Sequence, residues 1–258
     1  MKRALLIAGG IYAIWWTVGL FMLGFDAPAL MGHWEDMIFI ALAAAVLTLW
    51  LARLVGWKVT LWAFGWTALV SGVVEAIGAT TGYPFGNYTY TERFGPRLGG
   101  LLPVAIPLAW WVVLLPLYTV ARRWLSAEPQ PGQRIALALG VGIAATIVDL
   151  ALEPVAWGVR GYWLWEDGGF YYGVPALNFF GWWVTAALIA LGLTWLLNER
   201  NFATKVKMPP VFPMIVLASV LIPFGLTAGL QWSVIPGAVL IIAIVAAVPL
   251  TLAWRWRR

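Results

Sequence analysis

The chain has 258 residues, of which 62% are hydrophobic and 10% charged; its mean hydropathy is +0.86 and its net charge +5. Soluble domains carry about 25% charged residues, so this composition excludes a soluble domain and requires an integral membrane protein. No cysteine is present, which removes disulfides, thiolate metal sites and cysteine nucleophiles.

A hydropathy pass predicts eight spans, at about 4–25, 37–55, 59–80, 101–121, 135–156, 174–197, 209–228 and 232–254. Each is near the roughly 20 residues that cross a bilayer. The first is too long for a signal-peptide core and lacks a small-residue cleavage pattern, so it is expected to be retained. Thirteen of the sixteen basic residues fall at the start of the chain, in alternate connections or at its end; Arg93, Arg97 and Arg160 lie on the other side. The positive-inside rule then puts both termini in the cytoplasm and makes the charge a topology signal, with no nucleic-acid role. The expected fold class is all-α: a polytopic helical bundle of about eight transmembrane helices, multi-pass in the cell membrane, forming one domain over residues 1–258.

The second span opens on a polar cluster, His33, Glu35 and Asp36, shortly after Asp26. With a single histidine there is no multi-His metal site, and capping a helix start is the role expected of the cluster. The third and fifth spans hold the feature of most consequence. Glu75, Asp149 and Glu153 lie in stretches that otherwise read as membrane helix, where a charged side chain costs at least about 2.5 kcal/mol on insertion scales. Counted from Leu61 and Ile135, Glu75 and Asp149 are each 14 residues in, roughly 21 Å along at 1.5 Å per residue. Glu153 follows Asp149 one turn later on the same face. One acidic layer at one depth is therefore expected, and it is the candidate catalytic set.

Around these acids lie two external loops rich in Gly, Tyr and Trp, residues 81–100 and 157–173, expected to fold back onto the bundle. Gly78 and Gly82 leave a small-residue face after Glu75, for close helix packing or for a ligand. Gly82-Tyr83-Pro84-Phe85-Gly86 forces a turn that brings Asn87, Tyr88 and Tyr90 back towards the carboxylate. Pro154 frees a carbonyl one turn earlier, beside Asp149. Two carboxyl groups a turn apart in low dielectric do not both ionise readily, which suits a general acid. The bland alternatives are an aromatic belt around the turn and neutralisation of Glu153 by Arg160. Carboxylates alone would suit Mg²⁺ or Ca²⁺, but carbonyl or phosphate-type context is scarce, so no metal is expected.

The two regions resemble each other. Glu75 is followed after 13 residues by Tyr88, then by Pro103 and Trp110-Trp111; Asp149 is followed after 13 by Tyr162, then by Pro175 and Trp182-Trp183. This reads as a degenerate parallel repeat over 59–125 and 133–198. Nineteen tryptophans exceed what interface belts need, and Trp157, Trp163, Trp165, Trp182 and Trp183 gather near the acids. Aromatic faces stabilise a developing cation. Asn178, after Pro175, is placed to orient a carboxyl group or a water. Neither a Walker loop, a Rossmann fingerprint, a nucleophile elbow nor H-E-x-x-H occurs.

The run from Glu75 to Tyr90, the D-x3-E-P of Asp149–Pro154, Gly161-Tyr162-Trp163 and Pro175-x2-Asn178-Phe179 resemble the membrane-embedded carotenoid biosynthesis proteins that include the carotenoid 1,2-hydratases (CruF type), over roughly residues 30–200. The resemblance implies an enzyme, a hydro-lyase acting on isoprenoids: water added to the terminal C1–C2 double bond of an acyclic end group, with no cofactor. It implies carotenoid drawn from the bilayer, membrane lipid and other carotenoid enzymes as partners. On that reading Glu75, Asp149 and Glu153 are the catalytic residues. Tyr83, Phe85, Asn87, Tyr88, Tyr162, Trp163, Trp165, Asn178 and Trp182 bind substrate. Open beside it stand a transporter or lipid-binding protein that relays protons through the same acids, and a carotenoid cyclase or isomerase that protonates but excludes water.

Overall fold

The computed structural model of the protein describes residues 1–25, 31, 34–125, 129–197 and 211–232. Seven α-helices are seen among them: α1 (Lys2–Gly24), α2 (Trp34–Val55), α3 (Trp57–Thr81), α4 (Ala105–Ala121), α5 (Pro131–Gly158), α6 (Ala176–Leu196) and α7 (Val211–Trp232). Five of these, α1, α2, α3, α5 and α6, are long and apolar enough to cross a membrane. The expected eighth span, 232–254, lies outside the described residues beyond Trp232, as do His33 and Asp26.

α4 is the centre of the bundle. It packs against α2, α3, α5, α6 and α7, and every side chain from Trp110 to Thr119 is buried. That explains its brevity: at 17 residues it is enclosed by its neighbours, and its unbroken apolar sequence is that of a helix hydrophobic all round. α1, by contrast, is largely exposed and is tied to α7 through Tyr12, whose hydroxyl meets Ser219 Oγ at 2.7 Å, and Trp16, which donates to the Ser219 carbonyl at 2.6 Å. The outward Leu6, Ile7, Ile14 and Phe21 of α1 are the apolar surface that a bilayer covers.

Close helix approach rests on glycine. On α6, Gly192 receives the indole of Trp66 from α3, which donates to the Ile189 carbonyl at 3.1 Å. Gly142 of α5 receives Trp183. Between Gly78 of α3 and Gly181 of α6 the ring of Phe85 is wedged, 2% exposed. The small-residue face around Gly78 is thus filled by the chain's own Phe85 and the Tyr88 hydroxyl, and leaves no room there for a ligand.

The bundle is mostly helical, as expected, and its loops add two short antiparallel strand pairs. Tyr88–Tyr90 (β1) pairs antiparallel with Trp163–Trp165 (β4), in register Tyr88↔Trp165 and Tyr90↔Trp163. Arg97–Leu98 (β2) pairs with Leu102–Pro103 (β3). The aromatic loops do fold back onto the helices: in β1–β4, Thr89 and Leu164 face outward while Tyr88, Tyr90, Trp163 and Trp165 face the bundle, the alternation that a strand dictates. Their rings pack across the strands, with centroids 5.2 Å apart for Tyr88–Trp165 and 6.1 Å for Tyr90–Trp163. Such cross-strand aromatic pairs are the unit of sheet stabilisation, and here they form a roof.

Candidate active site

Beneath that roof lies a cavity with about 930 Å³ of empty space, mouth included, reached by side chains of α2, α3, α4, α5, α6 and α7. Glu75, Asp149 and Glu153 all line it. Their exposures are 7%, 0% and 1%, so three carboxyl groups from two helices share one enclosure with almost no solvent.

Each acid has a different set of partners. Glu75 accepts three hydrogen bonds: Tyr90 donates to its Oε2 at 2.6 Å, Tyr88 to the same oxygen at 3.0 Å, and Trp110 Nε1 to Oε1 at 3.1 Å, which leaves Oε1 with a single donor. Glu153 accepts two indole N–H groups on Oε1, from Trp163 at 2.9 Å and Trp165 at 2.7 Å. Asp149 accepts the Asn178 amide on Oδ2 at 2.8 Å, while its buried Oδ1 has no partner. Indole N–H is a donor only, so Glu153 and Glu75 are held as acceptors. Asp149 and Glu153 also lie within hydrogen-bonding reach of each other, so the two carboxyl groups are positioned to share a proton.

The roof and the acids are therefore one unit. Tyr88 and Tyr90 hold Glu75 from β1, and Trp163 and Trp165 hold Glu153 from β4. Burial, reinforced by the Glu75 carboxylate, pushes both phenols above their usual range, so they stay neutral donors. Replacing Tyr90 by Phe removes the shorter of the two phenol bonds to a buried acceptor; bonds to charged groups contribute about 1.5–3 kcal/mol. Slower turnover with insertion retained is the expected outcome, read by product formation in membranes holding equal amounts of the two proteins.

Pro154 completes the local architecture. Its missing N–H leaves the Leu150 carbonyl unbonded within α5, and the Tyr171 hydroxyl donates to that carbonyl at 2.7 Å. The second loop is anchored beside Asp149 in this way. Trp110 and Trp182 also line the cavity and pack against each other with centroids 4.3 Å apart, tilted by 31°. They are the first members of the two Trp pairs; the second members turn away, Trp111 to Thr48 and Trp183 to the Leu139 carbonyl.

The sequence matches the family described as "Carotenoid biosynthesis protein" over residues 35–251. The chain belongs to this family. It is also similar to a bisanhydrobacterioruberin hydratase of Haloarcula japonica, with 28% identity over 185 residues, 64% of this chain and 60% of the relative. The chain thus matches less than two thirds of that relative's length. No solved structure matches significantly.

Within this family member, most of the residues anticipated from sequence reach the cavity: besides the three acids, Phe85, Tyr88, Tyr162, Trp163, Trp165, Asn178 and Trp182 line it. Tyr83 and Asn87 do not. Tyr83 follows the left-handed Gly82 that ends α3 and is 57% exposed. Asn87 sits at the roof's outer edge, where its amide donates to Asp167 Oδ2 at 2.7 Å. Trp157 serves the loop, donating to the Tyr172 carbonyl at 3.0 Å. Arg160 is not the partner of Glu153; it lies 3.7 Å from Asp36. Tyr162, placed 13 residues after Asp149 as Tyr88 is after Glu75, takes a different role: it stacks on Phe94 at 4.3 Å and lies beside Asp36. Trp110, Tyr90 and Asp36 complete the site; the sequence brought Tyr90 back towards Glu75 and set Asp36 in a polar cluster at the start of α2, but assigned none of the three a catalytic or substrate-binding role. The alternation Tyr-x-Tyr and Trp-x-Trp carried the signal for Tyr90. Nothing local marked Trp110 beyond its place in a Trp pair.

Proposed function

We propose that this protein is a carotenoid hydratase, a hydro-lyase that adds water across the terminal C1–C2 double bond of an acyclic carotenoid end group taken from the bilayer. Membership of the carotenoid biosynthesis family and similarity to a hydratase support the reaction class. The observation that carries the reading is the convergence of Glu75, Asp149 and Glu153 on one aromatic cavity.

In this reading Asp149, with its unpartnered Oδ1, is the acid. Its proton goes to C2 as the alkene π pair forms the new C–H bond, leaving a tertiary cation at C1. Trp110 and Trp182 present aromatic faces to that cation. A water oxygen bonds to C1 and gives one proton to Glu75, which Tyr88, Tyr90 and Trp110 hold in place. Transfer of that proton back to Asp149 resets the site. One water is consumed and no electrons change hands, so the balance calls for no redox partner. Glu153, one turn from Asp149, sets that acid's surroundings, and Asn178 fixes its orientation.

Expression in a host that makes an acyclic carotene tests the proposal. The expected product is a more polar carotenoid heavier by one water per reacted end. A carrier would relocate the pigment at unchanged mass, and a cyclase or isomerase would change its spectrum at unchanged mass.

A further inference from the structure

Hydration in so apolar a cavity raises a supply problem: one water per turnover must reach a site whose three acids are at most 7% exposed. Most of the other lining side chains are hydrocarbon or aromatic, including Phe39, Ile40, Ile106 and Val220. The remaining charged residue on the wall is Asp36, in the first turn of α2, and its side chain is 30% exposed. It alone among the charged lining residues touches both the cavity and bulk water. Its surroundings are polar on the outer side: Arg160 at 3.7 Å, itself 38% exposed, and the Tyr162 phenol, which burial and the Asp36 charge keep neutral. Tyr162 also lines the cavity, so a polar edge runs from solvent inward past Asp36.

We propose that Asp36 is a positioning residue for the reacting water: it draws water in at the outer mouth, and Tyr162 hands it past the aromatic roof to the cation. The role rests on the hydratase reading and deepens it. It is distinct from the part played by the neighbouring Glu35, which accepts the Met31 N–H at 2.8 Å and so holds the chain ahead of α2. An ordered water needs two to four polar partners, and a carboxylate beside a phenol provides them.

The chemistry supplies a readout that a merely structural role would not move. If protonation at C2 proceeds but water does not arrive, the C1 cation loses a proton to a carboxylate and reverts to alkene. In deuterated water such reversals leave deuterium in unreacted carotene. The experiment uses full-length protein in membranes, with an acyclic carotene in deuterated water, and compares Asp36→Leu, Asp36→Asn and Arg160→Gln with the parent. For Asp36→Leu the expected result is hydroxylated product down by about tenfold or more, with rising deuterium in recovered carotene. Asp36→Asn keeps a polar group and Arg160→Gln keeps Asp36, so both should retain most of the product. The inference is overturned if Asp36→Leu makes normal product, or loses product and deuterium together. It is equally overturned if Arg160→Gln matches Asp36→Leu, since the ion pair would then be what matters. Neither product nor deuterium with the parent protein would sink the hydratase reading itself, and this inference with it.

Discussion

Glu75→Gln and Asp149→Asn are each expected to abolish hydroxylated carotenoid while the protein still inserts and folds. A positioned acid or base contributes typically 10²–10⁴-fold, about 3–5 kcal/mol of barrier at 1.36 kcal/mol per tenfold. Both substitutions keep most of the hydrogen-bond frame. In Asp149→Asn the carbonyl oxygen can still accept the Asn178 amide that now bonds Oδ2. In Glu75→Gln the amide oxygen can accept Trp110 Nε1, the bond now made to Oε1, and the amide nitrogen faces the Tyr88 and Tyr90 hydroxyls. Phenols can accept as well as donate, but the Tyr88 and Tyr90 O–H groups then lose Oε2 as their acceptor, so some loss of stability accompanies Glu75→Gln. The check is pigment mass and polarity in a carotene-producing host, beside protein yield and detergent melting temperature. Unchanged product from either variant would remove that residue from the chemistry; lost product with lost protein would show a folding role instead.

How much of this could be read from the chain alone differs by type of signal. The acids were legible because burying a carboxyl group in a membrane span is costly, and their equal depth followed from counting residues along helices. That Trp163, Trp165 and Trp182 reach the same cavity was legible from the clustering of tryptophan near the acids, and that Phe85 does so was implied by the family resemblance. The β1–β4 roof was not, because strands of three residues separated by more than 70 positions carry no hydropathy signal against a background this apolar. Missing that pairing is also why the indole partners of Glu153 were not foreseen and Arg160 stood as an alternative partner. Arg160 is nearer to it in sequence than any other cation, but the strand directs two indoles onto the carboxylate while Arg160 turns outward to Asp36. The repeat-like spacing, likewise, placed Tyr88 and Tyr162 as equivalents. Only Tyr88 contacts the acid that precedes it; the intervening β1–β4 pairing leaves Tyr162 beside Phe94 and Asp36.

The junction of roof and helix bundle predicts a second large effect, at Glu153. Its Oε1 is the acceptor for both Trp163 and Trp165, so Glu153→Leu strands two indole N–H groups at once. An unsatisfied buried donor costs about 1–3 kcal/mol; these indoles are partly buried, which places each near the lower end. The loss also loosens β4, and β1 with it, since among the described residues these two strands pair with each other. Tyr88 and Tyr90 would then leave Glu75. Glu153→Leu is therefore expected to lower the melting temperature and to eliminate activity. Glu153→Gln separates the two roles of the residue. Its amide oxygen still accepts both indoles, so the melting temperature should hold. Its amide nitrogen, however, puts a donor near Asp149 where a proton acceptor stood, and turnover should fall by roughly tenfold or more. Paired melting and product measurements on the two variants decide the matter: stability following the acceptor and rate following the charge is the pattern required of a side chain that both pins the roof and conditions the acid one turn before it.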